Sequence, residues 1–133
     1  GAGLVVVALS GDRGIYSSRY AGSSASDEEN VAALLSALKD VPASERSARF
    51  QCVIVFMRHA EDPTPLIFQG SWQGQIMTEA LGEGGFGYDP IFFVPETDCS
   101  AAELSSEQKH AISHRGQAMR QFIEEFPYSR HQF

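Results

Sequence analysis

The sequence predicts one α/β domain of the α+β type, with a mixed central β-sheet and flanking helices. A chain of 133 residues suits a single domain, and we treat 1–133 as one unit. Short β-branched and aromatic runs, typical of strands, fill the middle of the chain. Helical patterns lie before and after these runs, which favours helices packed on one sheet.

The first half of the chain carries one helix pattern between two strand patterns. Residues 4–9 form a short apolar run rich in β-branched valine, which predicts a buried strand. Ser26 and Glu29 have the spacing of a capping box, so a helix begins there and ends before Pro42. Residues 50–58 predict a central strand.

The second half alternates apolar runs with glycine and proline. These runs predict strands at 66–68, 72–77 and 91–94 and a short helix at 105–111. Gly70 separates the first two strands. Trp72, Phe92 and Phe93 are predicted core residues. Ser113 is placed to cap a last helix, and its apolar face is predicted to contain Met119, Phe122, Ile123 and Phe126.

Charge and composition exclude several classes of protein. The net charge of −7 disfavours a broad nucleic-acid surface, and we expect no nucleic-acid partner. The longest apolar run, residues 52–57, is too short to span a bilayer, so we expect no membrane partner. We interpret Cys52 and Cys99 as free thiols in a reducing, cytoplasmic location.

The most informative segment, residues 82–92, reads GEGGFGYDPIF. Glycines let a backbone approach a ligand closely. Phe86, beside Gly87, offers a flat face to a base, although a core phenylalanine is the commoner case. Tyr88 and Asp89 add a hydroxyl and a carboxylate. Because Asp89 precedes a proline, it equally suits a turn.

A second segment, Ser113-His114-Arg115-Gly116, follows Lys109 closely. His114 and Arg115 fall in the first turn of the last helix, where cations do not favour the helix dipole. Unpaired N–H groups at that end attract negative charge, which suggests binding of an oxygen-rich ligand. The alternative is that both side chains simply point into solvent. Together the two segments predict a purine nucleotide site.

Other chemistries lack their sequence patterns. The glycine run has no following Lys-Ser/Thr of a phosphate-binding loop, and no Cys/His pair has zinc spacing. No Gly-x-Ser-x-Gly elbow occurs. The cluster His59-Ala60-Glu61-Asp62 stands beside a proline-rich turn, so we interpret it as a solvated hairpin end.

Three motifs, in order, resemble the inosine triphosphate pyrophosphatase family. They are GIYSSRYAG at 14–22, GGFGYDPIF at 84–92 and ISHRGQA at 112–118. The resemblance implies a two-lobed fold with a nucleotide cleft. It also implies magnesium-assisted hydrolysis of ITP, dITP or XTP to the monophosphate and pyrophosphate, and a homodimer.

The resemblance also implies roles for individual residues. The base-binding loop contains Phe86, Gly87, Tyr88 and Asp89, and the nucleotide is contacted by Lys109, His114 and Arg115. Hypoxanthine and xanthine carry an oxygen at C6, and Lys and Arg side chains can only donate hydrogen bonds. Adenine, with an amino group there, loses roughly 1–3 kcal/mol per unmade buried bond.

The family pattern places a magnesium-binding acidic residue, taken as the catalytic base, where this chain has Gly1. No catalytic residue and no metal ligand is therefore assigned. We expect this chain to be a C-terminal portion carrying the base-recognising half of the site, with little turnover by itself. The alternatives are a catalytically inactive nucleotide-binding module and a fragment without binding activity.

Overall fold

The computed structural model describes residues 2–9, 15–16, 22 and 24–125, which form a six-stranded sheet and three α-helices. The strands are β1 (Ala2–Val6), β2 (Ile15–Tyr16), β3 (Ser47–Phe56), β4 (Leu66–Ile76), β5 (Phe92–Val94) and β6 (Cys99–Ser100). The helices are α1 (Asp27–Ala37), α2 (Ser106–Ile112) and α3 (His114–Glu125). The α/β fold class is confirmed.

The sheet order is β2-β1-β3-β4-β5-β6, and every described pairing is antiparallel. The expectation of a mixed sheet is therefore not met within the described residues. Parallel neighbours need a long crossover connection, whereas β3 and β4 are joined by a short hairpin. Their ladder runs from Ser47 opposite Gln75 to Phe56 opposite Leu66.

The core lies on one face of the β3–β4 hairpin. Phe50 stands opposite Trp72 in the register, and Phe92 of β5 completes an aromatic cluster with centroids 4.5–5.9 Å apart. Trp72 and Phe92 are buried as predicted, and Phe93 is half-buried.

Strand β1 ends earlier than the sequence pattern predicts. The strand stops at Val6, and Val7–Leu9 forms a short 3-10 turn in which Val7 is exposed. Ile15 and Tyr16, for which the sequence analysis predicts no strand, pair with Val5 and Leu4 as strand β2.

Helix α1 begins as predicted. Ser26 and Glu29 form the capping box, with each side chain accepting the other residue's backbone N–H. Val31, Leu34 and Leu38 are buried in the core, as the helical spacing requires.

A buried guanidinium links the end of α1 to the end of β4. Arg46, 4% exposed, donates to the carbonyl oxygens of Leu38 (2.6 Å), Val41 (3.0 Å) and Met77 (3.1 Å). The guanidinium thus joins the C-cap residue of α1, whose carbonyl also accepts from Val41 N (2.9 Å), to the main chain that follows β4. The sequence pattern did not indicate this role for Arg46.

Strand β4 is continuous through Gly70, which the sequence analysis placed between two strands. A Cβ atom at Gly70 would overlap the carbonyl oxygen of His114, the first residue of α3. The glycine is therefore explained by the close approach of a helix, not by a break in the strand.

Two glutamines of α3 occupy the open edge of β4. Gln117 accepts from the backbone N–H of Ser71 (3.1 Å) and donates to its carbonyl (2.7 Å). Gln121 makes the same two bonds to Gln69, at 3.3 and 2.7 Å. Strand β5 pairs with β4 at Gln75 and Ile76. The amides thus take the place of a neighbouring strand beyond that pairing.

The buried side of α3 differs from the predicted one. Met119 and Ile123 are each 41% exposed, while Gly116 and Ala118 face inward because small residues permit close packing. Phe122 contacts the rings of Phe56 and Phe68 as a core residue would. The predicted Phe126 lies outside the described residues. No described helix has the length and apolar character needed to cross a bilayer.

Replacing Gly70 with alanine is expected to lower the free energy of unfolding by about 1–3 kcal/mol, because the new methyl group meets main-chain atoms that cannot move alone. Urea denaturation monitored by circular dichroism measures the change. Ser71→Ala, on the exposed face of the same strand, is the matched control and should change stability little. An unchanged midpoint for Gly70→Ala would contradict this contact.

Candidate functional site

The predicted site is built on a glycine loop, here residues 82–89, between β4 and β5. The loop is closed at its base by a hydrogen bond from Leu81 N to Pro90 O (2.9 Å). Gly84 packs tightly on the segment that precedes α2, where a Cβ would stand 2.7 Å from the carbonyl oxygen of Ala102. Gly85 and Gly87 have φ of +73° and +59°, which favour glycine. The loop therefore has a fixed first half and a projecting tip.

Phe86 lies at this tip with 55% of its surface exposed. The Nζ atom of Lys109 is 4.2 Å from the centre of its ring, and the Cζ atom of Arg115 is 5.0 Å from it. These distances are those of cation–π contacts. The alternative that Phe86 is a core residue is wrong, and the sequence-predicted cations lie beside it.

Asp89 joins the loop to Lys109. Its buried carboxylate accepts from Phe86 N (3.1 Å) and forms an ion pair with the Lys109 ammonium. Asp89 is thus the turn residue that its position before a proline suggested, and it also fixes a cation. One carboxylate therefore sets the relative positions of the Phe86 main chain and the Lys109 head group.

His114 and Arg115 begin α3, as predicted, and Ser113 caps the helix by accepting from Gly116 N (3.1 Å). The two neighbours point in different directions. Arg115 is exposed and reaches Phe86, whereas His114 is buried against Phe50, with ring centroids 5.0 Å apart and planes at 15°. Only Arg115 therefore presents its side chain at the surface.

Burial governs the electrostatics of His114. Desolvation, reinforced by the positive charges of Arg115 and Lys109, lowers the pKa of the imidazole to about 4. The ring is therefore neutral at pH 7. Its Nδ1 atom is buried without a hydrogen-bond partner among the described residues, as is Nε1 of Trp72. The side chain of Tyr88 is also buried in the core.

Phe86, Asp89, Lys109 and Arg115 are thus brought together, and His114 and Tyr88 lie beneath the surface. Within the described residues Lys109 is paired with Asp89, while Arg115 forms no ion pair. An uncompensated guanidinium beside an exposed ring suits a flat ligand with oxygen acceptors. The motif at 14–22 lies mostly outside the described residues.

One contact to the loop was missed by the sequence analysis. The carboxylate of Asp27, the first residue of α1, accepts from Gly87 N at 2.9 Å. An acidic residue in the first turn of a helix is ordinarily explained by the helix dipole, so the sequence offered no signal for a second role.

The cluster at 59–62 lies at the end of the β3–β4 hairpin. The pKa of Asp62 is held well below its usual range by hydrogen bonds from the Arg58 side chain, the Arg58 N–H and Thr64 N–H. The predicted hairpin end is correct, but the Asp62 carboxylate is enclosed instead of solvated. No three His, Cys, Asp or Glu side chains of the described residues converge as metal ligands. Cys52 and Cys99 are free, as expected.

Comparisons with known proteins agree with the resemblance read from the sequence. A model of the Ham1 family matches residues 1–125. Proteins named dITP/XTP pyrophosphatase from Photorhabdus laumondii and Shigella flexneri are 56% and 59% identical, each over 92% of this chain. The chain spans 62% of the length of both relatives.

Two solved structures have the same fold. A HAM1 protein from Coxiella burnetii has a TM-score of 0.89 and 48% identity, covering 95% of this chain and 64% of its own. The Ham1 protein of Staphylococcus aureus has a TM-score of 0.84 and 44% identity, covering 96% of this chain and 65% of its own.

The buried imidazole predicts a pH dependence. Because the folded pKa of His114 lies below its unfolded value, the unfolded chain binds more protons between about pH 6.5 and 4. The stability from neutral His114 is complete above this window and is lost as the pH falls through it, by about 3 kcal/mol in total, because one pKa unit corresponds to about 1.4 kcal/mol. An NMR titration should give a midpoint near 4 for His114. A midpoint at the ordinary histidine value would show that the ring is solvated.

Proposed function

The chain belongs to the Ham1 family, and we propose that its protein hydrolyses the nonstandard purine nucleoside triphosphates ITP, dITP and XTP to the monophosphate and pyrophosphate. In this proposal the chain supplies recognition of the base. The observation that carries it is the exposed ring of Phe86 with the cations of Lys109 and Arg115 beside it. The names of the relatives point to the same substrates.

Stacking supplies the first part of recognition. Phe86 exposes more than half of its surface at the tip of the loop, where a purine can lie flat against the ring. Stacking of a base on an aromatic ring contributes about 1–3 kcal/mol and is largely independent of which base it is. Phe86 therefore supplies affinity, and discrimination must come from the groups around it.

The two cations supply discrimination. The side chains of Lys109 and Arg115 only donate, so both match the C6 oxygen of hypoxanthine or xanthine. The amino group of adenine also donates, which leaves it and the cations unpaired at roughly 1–3 kcal/mol per lost bond. The described residues offer no comparable explanation for the rejection of guanine, which carries the same oxygen.

Preorganisation strengthens this selection. Asp89 holds the Lys109 ammonium and the Phe86 main chain at once, so both are in place before the ligand arrives. The conformational entropy of these groups is already lost when the chain folds, so it is not lost again on binding. Gly87 and Tyr88 take part as the main chain of the loop.

His114 acts from beneath the surface. His114, at the start of α3, packs on Phe50 of β3. It is neutral at physiological pH, so it adds no third charge beside the base. Its location fixes the direction in which the adjacent Arg115 leaves the helix. A direct contact between His114 and the nucleotide stays a prediction of the family resemblance.

Magnesium is implied by the resemblance, but the described residues do not fit it. No group of three His, Cys, Asp or Glu side chains among them is arranged to hold a metal ion. The catalytic base stays unassigned. The homodimer and the cytoplasmic location stay predictions.

A nucleotide-binding module without catalysis is the second candidate. It is favoured by one observation, namely the exposed ring of Phe86 with two cations beside it, an arrangement that suits binding of a base without specifying a reaction. Such a module binds ITP but releases no pyrophosphate, which separates it from the enzyme.

Pyrophosphate release by the full-length natural protein from ITP, XTP, dITP, GTP and ATP, with and without magnesium, tests the function. We expect magnesium-dependent release from ITP, XTP and dITP and no release from ATP. Equal rates on ATP would contradict the selection by C6 oxygen. Saturable ITP binding without pyrophosphate release would contradict the proposed hydrolysis and support the nucleotide-binding module.

Arg115→Met should lower kcat/KM for ITP about 10-fold or more, because one charged hydrogen bond to the C6 oxygen is lost. The rate on ATP, which makes no such bond, should change far less, so the ratio between substrates narrows. Lys39→Met, at the exposed end of α1, is the matched control and should leave both values unchanged. Equal losses on ITP and ATP would show that Arg115 does not read the base.

A further inference from the structure

We propose that Asp27, the first residue of α1, is a positioning residue for the stacking face of Phe86, an inference that rests on the proposed function. Its carboxylate accepts from the backbone N–H of Gly87 at 2.9 Å, across 60 positions of sequence. Asp27 thereby ties a helix to the tip of the glycine loop, one residue beyond the proposed stacking ring.

Among the described residues, the main chain at the tip of the loop is less closely packed than the main chain at its base, although the Phe86 ring contacts Lys109 and Arg115. An open cavity of about 540 Å³ separates it from α1, lined on the helix side by Asp27, Glu28, Val31, Ala32 and Leu35. Apart from Gly87 and its two chain neighbours, no atom of the described residues lies within 4 Å of a Cβ built at Gly87. The first half of the loop, by contrast, lies against Ala102. Hydrogen bonds therefore hold the main chain at the tip of the loop, whereas packing against Ala102 holds it at the base.

At the tip of the loop, two successive backbone N–H groups donate hydrogen bonds to two different carboxylates. Asp89 accepts the N–H of Phe86 (3.1 Å), and Asp27 accepts that of Gly87 (2.9 Å). Gly85 and Gly87 allow the chain on either side of Phe86 many conformations. The peptide group between Phe86 and Gly87 is held from two sides, because its carbonyl oxygen accepts from Asp89 N (3.2 Å) and its N–H donates to Asp27. Of these two bonds, the one to Asp27 ties the tip of the loop to another element, helix α1.

The helix dipole does not account for this arrangement. Glu28 and Glu29 stand in the same first turn of α1 and interact with the dipole in the same way. Glu29 completes the capping box, and Glu28 lines the same cavity without a hydrogen bond to the loop. Asp27 is the residue of this turn that bonds to the loop, so Glu28 is its natural control.

The test compares Asp27→Ala, Asp27→Asn and Glu28→Ala in the full-length natural protein. Asp27→Ala should raise KM for ITP about 10-fold with kcat nearly unchanged, because the lost bond serves binding of the base in ground and transition states alike. Asp27→Asn retains an acceptor oxygen and should stay within about 2-fold of the natural protein. Glu28→Ala should do the same.

Hydrogen exchange of residues 82–89 is the second readout. We expect faster exchange in Asp27→Ala than in Asp27→Asn or Glu28→Ala. An unchanged KM in Asp27→Ala, a fall in kcat without a rise in KM, or no rescue by Asp27→Asn overturns the inference. Absence of ITP hydrolysis and binding by the natural protein instead overturns the proposed function, and the exchange rates then still decide whether Asp27 holds the loop.

Discussion

Helix α3 can lie directly on strand β4 because Gly70 has no side chain where the carbonyl of His114 approaches. Gln117 and Gln121 then bond to the open edge of the strand through paired amide contacts, which fix the helix along the strand direction. Arg115 leaves the same first turn. The location of the exposed guanidinium is thus set by contacts on the opposite side of its helix.

The loop that faces Arg115 is organised differently. Its glycines permit the required backbone but give it little rigidity, since glycine loses more conformational freedom on ordering than other residues. Asp89 and Asp27 restore rigidity by accepting two successive N–H groups, and Asp89 also fixes Lys109. In a chain with a net charge of −7, this local pair of cations is the feature that suits an electron-rich base.

Local signals in the sequence predicted where helices α1 and α3 begin. Ser26 and Ser113 cap helices as expected, because capping depends on residues within one turn. The glycine loop and the His114-Arg115 pair meet in space, although no pattern in the sequence shows that they are neighbours. The antiparallel arrangement around β4 depends on pairings between distant segments, and local patterns do not specify these.

Residues whose roles depend on distant partners escaped prediction. Gly70 has the pattern of a strand break until the helix that fills its space is known. Arg46 and Asp27 have the ordinary appearance of surface charges, yet one is buried among carbonyls and the other holds a loop 60 positions away. Met119 and Ile123 follow a helical period but face outward, since the helix buries its smaller residues instead: Gly116 lies against the His110 carbonyl of α2, and Ala118 is buried.

A crystal structure with bound inosine monophosphate tests base recognition most directly. We expect hypoxanthine to stack on the exposed face of Phe86, with its C6 oxygen about 3 Å from the Lys109 ammonium or the Arg115 guanidinium. A base bound in the cavity between α1 and the loop, with the ring of Phe86 uncovered and both cations distant from the oxygen, would contradict it.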